Sequence, residues 1–215
     1  MCINNNYTCN LTLLATNPSS TSNIIGRPTI PGQVHAASGL NWGYNAGTAF
    51  LEDAYIPVNR DDIIEAREMF IKPSPVNVPI NAVWDDGTEM TLLLEGNGVD
   101  LCDGNFYPKQ ISTYGNKSIL GNYLRERIGT RIGRNLVYSP YAINTLASIK
   151  SSYAGNKEAI ILAIRNNPAL LEELNDKFIT LDDLNQYGRT TISVRLENNE
   201  EGNVIYRFDF SVGNF

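Results

Sequence analysis

Lys109, Lys117, Arg125, Arg127, Arg131 and Arg134 fall in one stretch, KQISTYGNKSILGNYLRERIGTRIGR, with Glu126 as its single acid. Six cations against one acid give this window a charge of +5 in a chain whose net charge is −6. The residues before it carry −8 and those after it −3. An acidic chain that gathers its cations in one place is equipped to meet an anion there. Between the charges stand Asn, Gln, Ser, Thr and Tyr, which can hydrogen-bond to phosphate oxygens and to base edges. The competing reading is a solvated helix with a basic face.

Other chemistries lack their parts. His35 is the only histidine, and Ala36-Ala37 follow it. A Ser–His–Asp triad, a histidine-rich metal site and a His-x-Lys phosphodiesterase motif all need more. Two places before each lysine stands Phe70, Tyr107, Gly115, Ser148, Gly155 or Asn175, so the Asp/Glu-x-Lys pattern of metal-dependent nucleases is missing. There is no P-loop and no GxGxxG. A nuclease with an unrecognised site would have to use acids such as Asp100 and Asp103 with Mg²⁺. Lone acids in a glycine-rich turn more often serve the turn itself. No catalytic residue, metal ligand or cofactor is expected.

The 215 residues, 42% apolar and 19% charged, suit one domain, or one domain with an appendage, with a full core. No apolar run approaches a membrane span. The start, MCINNNYTCN, has no basic region followed by an apolar stretch, so no signal peptide is expected. Three cysteines, Cys2, Cys9 and Cys102, without CxxC spacing fit reduced thiols in a cytoplasmic setting and argue against structural zinc. The net charge of −6 disfavours nonspecific nucleic-acid binding and leaves room for specific binding through a local patch.

The elements that must position the basic window follow from pattern. CNLTLLA (9–15) reads as a short strand, and 16–35, with NPSSTSN and two prolines, as loop or linker. In SGLNWGYN (38–45) two glycines flank Asn41 and Trp42, which allows close backbone approach. Trp42 is a core plug or a contact residue. FLEDAYIPV (50–58) reads as a strand ended by Pro57, and RDDIIEAREMF (60–70) as a helix. VNVPINAVW and TEMTLLLE flank Asp85-Asp86-Gly87 as a hairpin. Residues 118–128 read as a helix with an apolar stripe of Ile119, Leu120, Tyr123, Leu124 and Ile128. Asn116 or Ser118 caps it, Gly129 ends it, and Arg125 and Arg127 lie off the stripe, facing a partner. Three helices fill 139–178, and Thr180 and Gly188 bound a fourth. TTISVRLE and NVIYRFDF close the chain as a hairpin. Strands, hairpins and helices without βαβ alternation point to a small mixed α+β barrel or sandwich.

SGLNWG (38–43), DAYIPV (53–58), the Asp-Asp-Gly hairpin, NKSILGNYLRERIG (116–129), ITLDDLNQYGRTTISV (179–194) and FDFS (208–211) occur in one order. Together they resemble the C-terminal B3-like DNA-binding domain of type II restriction endonucleases with a phospholipase-D-type nuclease half, the Neisseria-type group. The resemblance covers 38–138 and 179–212. It implies a DNA-binding pseudobarrel, an open and mainly antiparallel β-barrel that grips the major groove of double-stranded DNA with two arms. The first arm would carry Ser38, Asn41, Trp42, Tyr44 and Asn45. The second would carry Lys109, Asn116, Lys117, Ser118, Arg125 and Arg127. Where the family continues the Trp-Gly step with Gln-Arg, this chain has Tyr44-Asn45, so a target sequence does not carry over. Residues 139–178 stand as a helical insertion in a 38–215 domain. Residues 1–37 are expected to be a short strand and linker, the remnant of an upstream nuclease domain, with that nuclease lost, split or supplied in cis or in trans. Two rivals stay open: a nuclease with an unrecognised metal site, and a protein-interaction module built on the insertion. For the latter, Ile160, Ile161, Leu162, Ile164, Leu170 and Leu171 suit a local core better than a docking face.

Overall fold

Every second side chain of most strands turns inward, and this alternation builds the sheet. Cys9, Leu11, Ile80, Ala82, Trp84, Leu92, Leu94, Ile192, Val194 and Phe208 are buried in this way. Each Leu, Ile, Val or Phe among them contributes roughly 2 kcal/mol when fully buried. The computed structural model describes residues 8–18, 23–98 and 100–213. The chain start with Cys2, and residues 19–22 of the expected linker, lie outside the described residues. The chain divides into two compact units, one of residues up to 13, 56–115 and from 189 on, the other of 14–55 and 116–188.

The first unit holds a seven-stranded sheet. Its strands are β1 (Thr8–Thr12), β2 (Ile56–Pro57), β3 (Val78–Trp84), β4 (Glu89–Glu95), β5 (Gln110–Thr113), β6 (Thr191–Asn198) and β7 (Val204–Asp209). Their order is β1-β6-β7-β3-β4-β5-β2. Neighbours run antiparallel, except that β3 and β7 pair in parallel. The two ends of the order, β1 and β2, touch, so the sheet nearly closes on itself. This is the open, mainly antiparallel α+β barrel that the resemblance implied. The strand expected in 9–15 belongs to this sheet, hydrogen-bonded to β6. In the parallel pair Trp84 faces Phe208, with ring centroids 5.0 Å apart.

The hairpin forms where Asp-Asp-Gly stood, with Gly87 at φ +86° and its N–H donating to the Trp84 carbonyl at 2.9 Å. Three expected elements change. Of 50–58 only Ile56–Pro57 is strand, because the preceding residues form a loop around Asp53, and Pro57 has no N–H for a longer ladder. The helix over 60–70 breaks at Ala66 (φ −131°, ψ 47°) into α1 (Arg60–Glu65) and α2 (Arg67–Phe70). The helix expected over 118–128 runs longer, as α3 (Lys117–Ile132), capped by Asn116 and ended by Gly133 at φ +71°. Gly129 stays inside it.

The second unit packs α3 with α4 (Pro140–Ser152), α5 (Lys157–Arg165), α6 (Pro168–Asp176) and α7 (Leu181–Tyr187). The cap signals hold: Asn167 before Pro168, and the Thr180–Asp183 box closed by Gly188 at φ +103°. Ala142, Leu146, Ile160, Ile164, Leu170 and Leu174 make a core with Ile24, Tyr44, Leu51, Tyr138 and Phe178. The 139–178 helices are therefore packed against the 24–51 chain. Ile161 and Leu171 are half-buried, and Leu162 is exposed.

Candidate nucleic-acid interface

Arg125 was expected to face a partner, and it is 1% exposed. Its Nη1 donates to the Lys177 carbonyl at 2.8 Å, its Nη2 donates to the Leu40 carbonyl at 3.0 Å, and its Cζ lies 4.5 Å from the Tyr138 ring centroid. The reason is the row Gly121–Arg125–Gly129 at helical spacing. A Cβ on Gly121 would stand 1.7 Å from the Glu52 carbonyl oxygen, and one on Gly129 would stand 2.4 Å from that of Arg134. Neighbouring backbone closes on this row, so it turns inward with Leu120, Leu124 and Ile128. Ile119, placed on the stripe by sequence, is 50% exposed instead.

The 38–45 segment is a 3-10 turn, Gly39–Tyr44, whose side chains point mostly inward. Ser38 is half-buried at its N-cap, and its carbonyl accepts the Asn41 N–H at 3.0 Å. Asn41 is fully buried; its amide donates to the Ile179 carbonyl at 2.9 Å and its Oδ1 accepts the Ile179 N–H at 3.2 Å. Tyr44 is fully buried as well, donating to the Leu174 carbonyl at 2.6 Å beside the Phe178 ring. Burial pushes its hydroxyl well above the usual tyrosine range. Trp42 is half-buried, edge-on to Tyr55 at 5.4 Å, and Asn45 is half-buried, accepting the Gly47 N–H at 2.7 Å. Asn41 and Tyr44 thus hold the fold instead of presenting their polar atoms.

In the basic window Lys109 is exposed at the entry to β5, and Arg131 is exposed on α3. Asn116 is exposed and accepts the Ser118 N–H at 2.9 Å as the cap of α3. Lys117 is half-buried in the first turn of α3. Ser118 donates from Oγ to Asp53 at 2.8 Å. Arg127 is half-buried and donates to the hydroxyls of Tyr187 (3.1 Å) and Tyr123 (2.7 Å). Arg134 pairs with Asp183 and bonds the Asp176 carbonyl. Asp100 and Asp103 serve their turn, accepting the N–H groups of Cys102 and Asn105, and Asp103 also binds Tyr107 and Arg67. Those bonds hold the Asp103 carboxyl below the usual carboxylate range. No cluster of metal-ligating side chains is present among the described residues. No helix there is long and apolar enough to cross a membrane.

Two residues outside the expected set shape this region. Asp53, 6% exposed, accepts the Phe50 N–H at 2.9 Å on the carboxylate that binds Ser118. Lys150 donates to the Gly43 and Ala49 carbonyls, both at 2.8 Å. A sequence signal for Lys150 exists: it continues the Ala142–Leu146 row of α4 at a spacing of four.

Two predictions follow from these geometries. A lysine ammonium is a single point that cannot place two separate nitrogens on the Lys177 and Leu40 carbonyls and stack a flat face on Tyr138 at once, so Arg125→Lys should cost about 3 kcal/mol in unfolding free energy. Arg131→Ala, at an exposed cation of the same helix, should leave the melting temperature near wild type. Equal melting temperatures for all three proteins would contradict the buried role of Arg125. Burial also pulls the Lys150 amine from 10.5 down to about 8. Below pH 8 both folded and unfolded chains hold this proton, and the burial cost is fully present. Between 8 and 10.5 only the unfolded chain holds it, so this lysine's contribution to stability rises with pH. In urea melts across that window, wild type should gain on Lys150→Met; a constant difference would contradict the shift.

Among known families, residues 9–141 match the model of the NgoFVII C-terminal B3-like DNA-binding domain. The match takes in β1 to β5, the 39–44 turn and α3, and it ends at the start of α4. No curated protein matches the chain. With more than half of its length matched and the sheet order of an open barrel, this chain belongs to the family of the NgoFVII C-terminal B3-like DNA-binding domain.

Proposed function

We propose that this B3-like DNA-binding domain is the target-recognition part of a type II restriction endonuclease. It reads a short sequence in the major groove of double-stranded DNA. Cutting is left to a phospholipase-D-type nuclease domain, in cis or in trans; of the stretch before 38 expected to lead from it, β1 lies in the sheet of this domain. The family match over 9–141 carries this reading, because it spans both expected arm regions. The local chemistry supports it. The N-terminus of α3 offers partial positive charge, Asn116 and Lys117 stand there, and such an end suits a phosphate. In the sheet unit, exposed Lys109 at the entry to β5 is proposed as a phosphate contact of its own. The DNA contacts proposed in the helical unit are Ser38, Trp42, Asn45, Asn116, Lys117, Ser118 and Arg127. Of these, Ser118 is bonded to Asp53 and Arg127 to Tyr187.

Selection of bound duplexes from a random library at about 100 mM salt tests the proposal, since phosphate contacts make affinity salt-dependent. A short enriched motif is expected. Lys109→Ala should weaken binding to all sequences alike and lower the salt slope by about one, as a phosphate contact does. No enrichment, with weak salt-sensitive binding or none, would overturn sequence recognition.

A further inference from the structure

With Asn41 and Tyr44 turned inward, the neighbouring loop 45–50, NAGTAF, exposes Gly47, Thr48 and Phe50. Packing alone does not hold this loop, because a cavity of about 430 Å³ lies between it and α4, lined by Ala49, Phe50, Leu51, Ile143, Leu146 and Ala147. Polar anchors hold it at its ends. Lys150 grips the Gly43 and Ala49 carbonyls, and Asp53 grips the Phe50 N–H. Through its other oxygen Asp53 binds Ser118, so one carboxylate ties the loop to the end of α3 where Lys117 stands. Gly43 is itself wedged, since a Cβ there would stand 1.9 Å from the Leu51 carbonyl oxygen.

What the loop presents is neutral. It has no cation for a phosphate, and Ala46, Gly47 and Ala49 are small enough for close approach. Its one large side chain, Phe50, is 62% exposed although its backbone is fixed. An exposed aromatic on an anchored backbone, joined through Asp53 to the helix end where Lys117 stands, is placed to touch a base. In the major groove the apolar feature of a base is the thymine methyl group.

We infer that loop 45–50 is the reading tip of the first arm, that Phe50 contacts a thymine methyl, and that Lys150 and Asp53 are positioning residues for it. This rests on the DNA-recognition reading above. The test uses the whole chain and the motif selected by wild type. Replacing the contacted thymine by uracil removes only the methyl group and should weaken wild-type binding about fourfold, the worth of one buried methyl. Phe50→Ala should keep the wild-type melting temperature, lose preference at that base position, and bind the thymine and uracil duplexes equally. Lys150→Met should blur the same position and no other, whereas simple destabilisation would lower affinity at all positions alike. If Phe50→Ala selects the wild-type motif with unchanged affinity, or if uracil costs both proteins the same at every position, the inference fails while sequence recognition stands. If wild type selects no motif, both fail. Phe50→Ala changes an exposed side chain, so it decides the matter even if the Lys150 variant does not fold.

Discussion

A buried guanidinium sets the terms for the helical unit of this protein. Taking Arg125 out of water costs several kcal/mol, and that cost is offset only if its donors and its face are occupied. The Lys177 and Leu40 carbonyls take its two terminal nitrogens and the Tyr138 ring takes its face, while Nε is buried without a hydrogen-bond partner. Three segments distant in sequence must then stand at fixed places around α3: the 39–44 turn, the end of α6, and the chain leading into α4. The glycines at 121 and 129 bring backbone close enough for the arrangement. The motif that marks the family in sequence is thus largely a packing device.

That device changes how the charge of the basic window is used. Arg125 is internal, Arg134 is committed to Asp183 and Asp176, and Arg127 is shared between two tyrosines. Lys109 and Arg131 remain exposed, with Lys117 half-buried at the start of α3. Few displayed cations on an acidic chain mean little counterion release. On the recognition reading proposed above, affinity would come mainly from base contacts, and these need a rigid frame, because a reading side chain off by an ångström loses its hydrogen bond. The 139–178 helices supply part of that frame. They reach the 43–49 chain through Tyr44 to Leu174 and through Lys150 to Gly43 and Ala49.

Local chemistry was legible in the sequence, and long-range placement was not. Gly87 after two aspartates, Asn167 before Pro168, and Thr180 with Asp183 and Gly188 each satisfied backbone groups within a few residues, so pattern located them. The parallel pairing of β3 with β7 joins residues more than a hundred apart, and no local pattern encodes it. Polarity misled at Arg125 and Asn41, since charged and amide side chains usually face water, and here both satisfy buried carbonyls. The short β2 was overread because Ile56 and Val58 alternate correctly while Asp53 bends the chain just before them.

The most direct test of this account is amide hydrogen exchange of the whole chain, free and bound to its selected duplex. DNA should protect 45–50 and 109–118, while the inner face of α3 around Arg125 exchanges at the same rate in both states. Protection confined to the outer faces of α5 and α6, with 45–50 and 109–118 unchanged, would contradict it.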